Sequence, residues 1–511
     1  MKLISKLGNQ YLKRRLRDID EMKENPYKIQ EDVFKELLKK GKNTAYGKKY
    51  GFSSIADINK FREKTPVVGY SDLTPFIERA VQGEKNVLWP GKMENFAKSS
   101  GTTDSRSKLI PVSMEGLRNC HYLGGRDMLA IYLRNFPDSL LLSGKNLSIG
   151  GSQEGNANSG KNTFYTGNIS AIVMKNLPFW AQLGRTPGIK VALMNDWEKK
   201  MKTISEITSR QKITSLAGSP MWMLLLLQHI QKEREINDIK EVWPHLEVFF
   251  HGSVSFGPYK PLFEELDKAG TLRYQEIYNA TEGFFGIQEL VNDTSLLLML
   301  NYGVFYEFIP EENFKDEFPE TVLLSEVKPG KRYSLVISTN SGLWRYKIED
   351  SIKFTSTDPF RFKIMGRTKH CINVFGEDLF AEQGEEALFK ACKRTGALMQ
   401  NFTVAPFFYS QEKKGYHEWV VEFKKSPANP EEFTAILDEE LCKLNEDYME
   451  KRKGDTAIHM PAVRQVPPGT FYQWLKSKEK LGGQHKIPAM SNSRNFVEEI
   501  LQTAHRDLSN A

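Results

Sequence analysis

The stretch Lys98-Ser99-Ser100-Gly101-Thr102-Thr103-Asp104-Ser105-Arg106-Ser107-Lys108 places four hydroxyl side chains around one glycine, with two cations close behind. Gly101 allows the backbone to turn sharply and to approach a ligand closely. Successive backbone N–H groups in such a turn can form a concave binding site for an anion. The composition therefore suits a loop that wraps an anionic group, and it suits an ordinary solvated Ser/Thr turn equally well.

The residues on either side of this loop predict short strands, at 95–97 and 109–112. A strand–loop–strand turn differs from the strand–loop–helix of a Walker-type ATPase. Residues 155–161 do have Walker spacing, but Asn162 stands where that motif needs Ser or Thr for its metal. We expect residues 143–168 to form a long polar loop that borders the site without holding phosphate.

Three further segments of the chain carry polar groups that could bind a ligand. Tyr278-Asn279-Ala280-Thr281-Glu282-Gly283 follows a predicted strand over residues 272–277, so it would lie at the edge where open α/β sheets bind ligands. Gly342-Leu343-Trp344-Arg345-Tyr346-Lys347-Ile348-Glu349-Asp350 comes next, followed by Gly366-Arg367-Thr368-Lys369-His370-Cys371-Ile372-Asn373-Val374-Phe375-Gly376-Glu377. Taken singly, each segment is as compatible with a turn and a surface ion pair as with a ligand-binding site.

In this order the four segments resemble the adenylate-forming enzymes, and more closely the plant auxin-responsive family of acyl-acid amido synthetases with its bacterial relatives. The shared patterns are Ser-Ser-Gly-Thr-Thr, Tyr-x-x-Thr-Glu-Gly, Trp-Arg-Tyr-x-x-x-Asp and a Gly-Arg to Gly-Glu segment. The resemblance covers the chain from about residue 10 to its C-terminus. The chain departs from the family pattern at two positions. Glu349 stands where the family often has Gly, and Ala489 stands where it often has Arg.

The resemblance implies an α/β fold in two domains. Residues 1–366 would form a large domain that binds ATP and the acyl substrate, with an α/β core and an antiparallel or barrel-like subdomain over residues 295–357. Residues 367–511 would form a smaller, mobile α+β cap domain. Such closing domains complete catalytic sites, so one site could run two half-reactions.

The resemblance also implies the chemistry: an ATP-dependent ligase that adenylates a small carboxylic acid with Mg²⁺ and passes the acyl group to an amine, such as an amino acid. AMP and pyrophosphate would be released. The implied residues are Ser99, Ser100, Gly101, Thr102, Thr103 and Lys108 for the phosphates; Gly252, Ser253, Tyr278 and Asn279 around the nucleotide; Thr281 for the α-phosphate or the acyl carboxylate; Glu282 for magnesium; Asp350 for the ribose; Arg367 for ribose or phosphate; and Lys486 for the pentavalent transition state.

Alternatives remain open from the sequence. Coenzyme A would be the acceptor in a thioester-forming ligase, and a nucleotide-binding regulatory protein would have no turnover. Asp350 has a structural alternative as the partner of Arg345 or Lys347, and Lys486 as an exposed tail lysine. Aromatic candidates for the acyl pocket are Phe179, Trp180, Tyr306 and Trp344, each of which could equally be core.

The bulk composition narrows the class of protein. A chain of 511 residues with 40% hydrophobic and 26% charged residues indicates two or more ordinary globular domains. A net charge of +7 is small for this length, so we expect no nucleic-acid partner, and Lys13-Arg14-Arg15 predicts a solvated helix face. Four scattered cysteines fit a reducing compartment, so we expect a cytoplasmic protein. The sequence has no secretory pattern, and its longest apolar run, residues 221–227, is too short to span a bilayer, so we expect no membrane partner. We also expect a monomer.

Overall fold

The computed structural model describes residues 2–99, 108–150, 153–159, 162–254, 256–257, 259–314, 316–367, 371–372, 377, 379–408, 415–452, 458–481 and 487–509. The chain divides into two compact units, Met1–Val254 with Ala269–Ile364, and Ser255–Lys268 with Met365–Ala511. Helices and strands alternate through both units, which confirms the predicted α/β class.

The first unit contains two sheets. The smaller sheet has the order β2-β1-β5-β4, with β1 Asn95–Ser99, β2 Lys108–Val112, β4 Gln153–Ser159 and β5 Asn162–Gly167. The larger sheet has eleven strands in the order β12-β13-β14-β15-β11-β10-β9-β8-β7-β3-β6. Its strands are β3 Lys145–Ser148, β6 Arg185–Thr186, β7 Ile213–Gly218, β8 Val248–His251, β9 Arg273–Asn279, β10 Phe284–Gln288, β11 Leu296–Leu298, β12 Val304–Pro310, β13 Arg332–Thr339, β14 Tyr346–Thr357 and β15 Phe360–Arg367.

The helices of the first unit are α1 Lys2–Glu24, α2 Pro26–Gly41, α3 Ala45–Lys49, α4 Ile58–Lys64, α5 Tyr70–Val81, α6 Met114–Gly116, α7 Tyr122–Asn135, α8 Ile169–Lys175, α9 Phe179–Leu183, α10 Ile189–Ala192, α11 Trp197–Thr208 and α12 Pro220–Arg234. α2 shows why such segments become helices. Pro26 fits the first turn, where its missing N–H has no helical acceptor to lose. Phe34, Leu37, Leu38 and Gly41 then recur at helical spacing, and all four are buried.

Five neighbouring strands of the larger sheet run parallel, namely β6, β3, β7, β8 and β9. The buried apolar run of β8, Val-Phe-Phe-His, is typical of such strands because helices cover both faces. Parallel strands end at one edge of a sheet. We call this the carboxyl edge and define it as residues 148–150, 218–219, 252–253 and 279–282.

The antiparallel strands predicted over residues 295–357 are present, and among the described residues they belong to the same sheet as the parallel strands. From β9 onward the pairing becomes antiparallel through β10, β11 and β15, and the strands β12, β13 and β14 continue the same sheet. One continuous sheet therefore carries both the parallel half and the antiparallel half of this unit.

One local prediction was wrong. Residues 143–168 contain β3, β4 and β5 instead of one long loop, and β5 buries Phe164 and Tyr165. Their Asn, Ser, Thr and Gly content is typical of a loop, but pairing with neighbouring strands specifies β-structure here. Between α6 and α7 the helix contains a π-helical stretch, Leu117–His121.

The second unit packs helices on a small sheet. Its sheet has the order β18-β19-β20, with β18 Leu398–Phe408, β19 Gly415–Lys425 and β20 Ala462–Val466, and a two-stranded ribbon pairs β16 Cys371–Ile372 with β17 Leu379–Phe380. Its helices are α13 Lys260–Leu266, α14 Ala381–Thr395, α15 Pro430–Leu444, α16 Glu446–Arg452, α17 Thr470–Ser477 and α18 Asn495–Ser509. Across the described residues, every helix is too short or too polar to cross a bilayer.

Candidate functional site

Two of the predicted motifs meet at the carboxyl edge. The Tyr278 hydroxyl, near the end of β9, donates a hydrogen bond of 2.5 Å to Oδ2 of Asp350 in β14. Tyr278 is buried against Phe285 and Phe362, so its ring has a fixed position. Asp350 itself is half-buried, which leaves part of the carboxylate accessible beside a fixed tyrosine.

Asp350 lies on an irregularity of its strand. The pairing of β13 with β14 shifts between Ser334 and Val336, so that the β14 residues between Lys347 and Ser351 bulge out of register. Within this bulge Glu349 has a φ of 71°, in the left-handed region that glycine adopts most easily. Bulges re-aim side chains near functional sites, and this one orients Asp350. The φ of Glu349 also accounts for the glycine that the family pattern often has there.

Arg345, the alternative partner considered for Asp350, belongs to a separate network. Its guanidinium binds both carboxylate oxygens of Glu307, with Nε–Oε2 at 2.9 Å and Nη2–Oε1 at 2.8 Å. Lys347, the other alternative, donates to the carbonyl of Phe314 at 3.2 Å. The Trp-Arg-Tyr part of this motif therefore supports the core, while the Asp350 part reaches the carboxyl edge.

The predicted nucleotide contacts at the end of β8 adjoin β9. A Cβ on Gly252 would lie 2.5 Å from the carbonyl oxygen of Ile277, so only glycine fits this crossing. The next residue, Ser253, is exposed and has a φ of 79°. Phe250, the penultimate residue of β8, is buried and packs on the Tyr132 ring in the core.

Two buried residues of β8 and β9, close to the carboxyl edge, have pKa values that are shifted toward their neutral forms. His251 pairs in register with Glu276 across β8 and β9. Burial lowers the pKa of His251 to about 3, and burial raises the pKa of Glu276 to about 7 despite the opposing charge of Lys363. Buried, weakly charged surroundings of this kind strengthen electrostatic interactions in the adjoining site, because the local dielectric is low.

The turn after β9 is fixed by the helix that packs on it. His121 Nδ1 lies 3.1 Å from Oδ1 of Asn279, and the Cys120 thiol accepts a hydrogen bond from the Phe284 N–H at 3.1 Å. Both residues belong to the π-helical turn, a feature that often marks functional sites. Gly124 allows the close approach, because a Cβ there would lie 2.4 Å from the Phe284 ring. Burial lowers the pKa of His121 to about 4, so its ring is neutral at physiological pH.

Thr281 and Glu282 occupy the turn itself. The Ala280 N–H donates to the Gly283 carbonyl at 2.8 Å, which closes the turn and holds both side chains half-buried at the carboxyl edge. The described residues contain no group of three or more His, Cys, Asp or Glu side chains that could hold a metal alone. Magnesium usually binds one or two carboxylates together with substrate phosphates, so Glu282 fits an ion brought in with a nucleotide.

The remaining predicted residues are only partly described. β1 and β2 pair antiparallel with Ser99 opposite Lys108, which confirms the strand–loop–strand arrangement. The Lys108 ammonium lies 5.7 Å from the centroid of the Tyr70 ring. Ser100, Gly101, Thr102, Thr103 and Lys486 lie outside the described residues, as do the side chains of Ser99 and Arg367.

Two aromatic candidates for the acyl pocket are core residues. The Tyr306 side chain is fully buried and its hydroxyl donates to the Met299 carbonyl, while Trp344 donates to the Leu88 carbonyl from within an aromatic cluster. Their hydrogen bonds and burial leave no surface for a ligand. The side chains of Phe179 and Trp180 lie outside the description.

Sequence reasoning missed His121, because the residue that it contacts is 158 positions away. It also missed Gly218-Ser219, which ends β7 at the same edge and leads into α12. A signal for the second was present, since a buried strand followed by Gly-Ser-Pro is typical of a parallel strand that feeds a helix.

Comparison with known proteins gives consistent matches along the chain. Family models described as GH3 family N-terminal domain, GH3 family central domain and GH3 family C-terminal domain match residues 15–269, 297–367 and 382–495. Indole-3-acetic acid-amido synthetase GH3.3 of Arabidopsis thaliana is 24% identical, over 93% of this chain and 91% of the relative. Indole-3-acetic acid-amido synthetase GH3.8 of Oryza sativa subsp. indica is 26% identical, over 93% and 90%.

Solved structures share the fold. The AtGH3.15 acyl acid amido synthetase in complex with 2,4-DB has a TM-score of 0.80 at 17% identity, covering 97% of this chain and 96% of that one. A 2-hydroxyisobutyryl-CoA ligase in its postadenylation state has a TM-score of 0.58 at 13% identity, covering 94% and 92%. The first likeness extends over nearly the whole of both chains.

Proposed function

The chain belongs to the GH3 family, and from this premise we propose that it is an ATP-dependent carbon–nitrogen ligase. It adenylates a small carboxylic acid, transfers the acyl group to the amine of an amino acid, and releases AMP and pyrophosphate. Its named relatives are amido synthetases, which supports both half-reactions.

One observation carries the assignment of the site: the hydrogen bond between Tyr278 and Asp350. It joins two motifs that lie 72 residues apart and puts a carboxylate at the carboxyl edge. A carboxylate beside a buried aromatic ring suits a nucleoside, because Asp350 can accept from both ribose hydroxyls while Tyr278 holds its orientation. Gly252 has no side chain, so the backbone there could approach the base closely.

The adenylation step needs donors where charge develops on the α-phosphate. The Ser99–Thr103 loop and Lys108 would hold the phosphates, and Thr281 would donate to the α-phosphate or the acyl carboxylate. Glu282 would hold magnesium, which neutralises phosphate charge when it is bound. Arg367 and Lys486 stay predictions for the ribose or phosphate and for the pentavalent transition state. The carboxylate oxygen then bonds phosphorus, and pyrophosphate leaves with the electron pair of the bond that breaks.

In the second step the acceptor amine attacks the acyl carbon. A carbon–nitrogen bond forms, the bond from that carbon to the AMP oxygen breaks, AMP takes the electron pair, and the amine gives a proton to solvent. Coenzyme A is the competing acceptor, since the fold is shared with a 2-hydroxyisobutyryl-CoA ligase. The higher TM-score of the amido synthetase favours the amine.

We further propose that the protein acts as a cytoplasmic monomer, without nucleic acid or membrane partners. Its modest net charge of +7 supports this, as do Cys120, Cys392 and Cys442, which are free thiols.

Acid-dependent exchange of labelled pyrophosphate into ATP tests the proposal. A panel of small carboxylic acids that includes indole-3-acetate should contain at least one that supports exchange with Mg²⁺. Glu282→Gln keeps the shape and removes the charge, so exchange should fall about 10²-fold or more, the scale of losing one electrostatic stabiliser. The control Glu320→Gln changes an exposed carboxylate and should leave exchange unchanged. Equal exchange in wild type and Glu282→Gln would remove Glu282 from the site.

A further inference from the structure

A buried lysine reaches the carboxyl edge from α11. Lys200 is only 1% exposed, and its ammonium donates to the Gly150 carbonyl at 2.7 Å, directly beyond β3. It lies 5.7 Å from the centroid of the Trp197 ring on the same helix. An ammonium has three N–H donors, and among the described residues Gly150 supplies its one hydrogen-bond acceptor.

A half-buried arginine reaches the same point from β6. Arg185 pairs in register with Asn146 of β3, and its Nη2 lies 3.4 Å from the Ser148 hydroxyl and 3.2 Å from the Met174 sulfur. Met174 also borders Gly150, where a Cβ would lie 2.8 Å from that sulfur. The two cations therefore converge on the last residues of β3 around one thioether.

Neither cation has an acidic partner within the described part of the chain. Burial alone lowers the pKa of Arg185, and burial alone lowers the pKa of Lys200 to about 8. Removing a charge from water without pairing it destabilises a folded chain. Two such groups beside each other, at the edge where this sheet class binds ligands, indicate that a ligand supplies the missing negative charge.

We propose that Arg185 and Lys200 form a subsite for the anionic group of the acceptor substrate, which is the carboxylate when the acceptor is an amino acid. This inference rests on the proposed function. β3 is the third strand from β9, so about 14 Å separates the strand ends at the usual spacing. That distance leaves room for the acyl group and the acceptor between Thr281 and the two cations. If coenzyme A is the acceptor, its phosphates are the anionic group that binds to the two cations.

The test compares acceptors with and without a negative group. Arg185→Gln and Lys200→Met remove the charge and keep an unbranched aliphatic stem, and Lys199→Met is the matched control, since Lys199 is exposed on the same helix. Each protein is assayed for pyrophosphate exchange, for hydroxamate formation with hydroxylamine, and for acyl transfer to the twenty common amino acids, to their carboxamides and to coenzyme A.

We expect the KM for the preferred amino acid to rise about 10-fold to 100-fold in either variant, the scale of losing a hydrogen bond to a charged group. Exchange, hydroxamate formation and transfer to the carboxamides should stay at the level of Lys199→Met. A KM that rises for coenzyme A instead supports the anion subsite and overturns the amide function. Unchanged KM values for every anionic acceptor, or a loss of exchange in the variants, would overturn the subsite.

A binding measurement keeps the inference testable without turnover. If wild type shows no exchange with any acid, the proposed function fails, and thermal shift with the twenty amino acids and with coenzyme A then judges the subsite alone. Stabilisation of wild type and of Lys199→Met, absent in Lys200→Met, supports the subsite. Equal shifts in all three proteins, or no shift in wild type, overturn it.

Discussion

The first unit treats its buried cations in two ways. In the interior, Arg15 binds Asp127 through two hydrogen bonds of 2.8 and 2.9 Å, and Arg345 binds Glu307 in the same bidentate manner. At the carboxyl edge, Arg185 and Lys200 have a thioether, a hydroxyl and a carbonyl as their neighbours. Among the described residues, the interior cations thus have carboxylate partners, whereas the two cations at the edge have neutral neighbours.

The difference separates the part of the unit that holds the fold from the part that would bind ligands under the proposed function. A bidentate pair satisfies both partners and fixes the elements that carry them, here α1 on α7 and the residue before β14 on β12. Charge without a paired acid, and left-handed backbone such as that at Ser253 and Glu349, destabilise the folded chain, and the proposed ligand site would account for their presence. Substitutions in the two regions should therefore act in opposite directions on stability.

The largest effect is expected in the interior. Glu307→Leu leaves the buried Arg345 guanidinium without its carboxylate, and this should lower the free energy of unfolding by about 3–5 kcal/mol. Urea denaturation measures the loss. The double variant Arg345→Met/Glu307→Leu removes both charges and should recover most of it. If the double variant were as unstable as the single one, the loss would come from packing and not from the unpaired charge.

At the carboxyl edge, removing the charge of Lys200 should raise the free energy of unfolding instead of lowering it. The pKa of Lys200 is about 8 in the folded chain against 10.5 for a free lysine, so the folded chain binds the proton less tightly. Stability of wild type should therefore rise as the pH goes from about 8 to about 10.5. Lys200→Met should lack this rise and be more stable than wild type at pH 7, by up to about 3 kcal/mol.

Lys199→Met serves as the control for that measurement and should follow wild type at every pH. A Lys200→Met protein that is less stable than wild type at pH 7 would show that the hydrogen bond to Gly150 outweighs the buried charge. The contrast between the interior and the edge would then fail.

The smallest effect concerns the backbone at Asp350. Glu349→Gly and Glu349→Ala both remove the side chain, but only glycine adopts a φ of 71° without strain. The glycine variant should therefore be more stable than the alanine variant by about 1 kcal/mol. Equal unfolding midpoints in urea would show that the bulge at Glu349 relaxes and does not hold Asp350 in place.

Much of the fold could be predicted because the signals were local. The strands predicted over residues 95–97, 109–112 and 272–277 are present in the structure as β1, β2 and β9. Asp350 could be named because its motif is contiguous. Glu307, the partner of Arg345, could not, because the two residues are 38 positions apart and meet only in the folded chain.

The rest depended on contacts that no local pattern records. β4 and β5 have the composition of a loop and become strands through their register with each other. Neither Arg185 nor Lys200 has a distinctive local sequence. In the described part of the chain, what distinguishes them is the half-burial of Arg185 and the full burial of Lys200 beside neutral groups. His121 is one of nine histidines and acquires a meaning only from its contact with Asn279.

Pyrophosphate exchange in Asp350→Ala tests whether the joined Tyr278 and Asp350 motifs form the nucleotide site. We expect acid-dependent exchange in wild type, a loss of about 10²-fold or more in Asp350→Ala with the fold intact, and normal exchange in Lys199→Met. Wild-type exchange that survives undiminished in Asp350→Ala, or no exchange with any acid, would contradict this assignment.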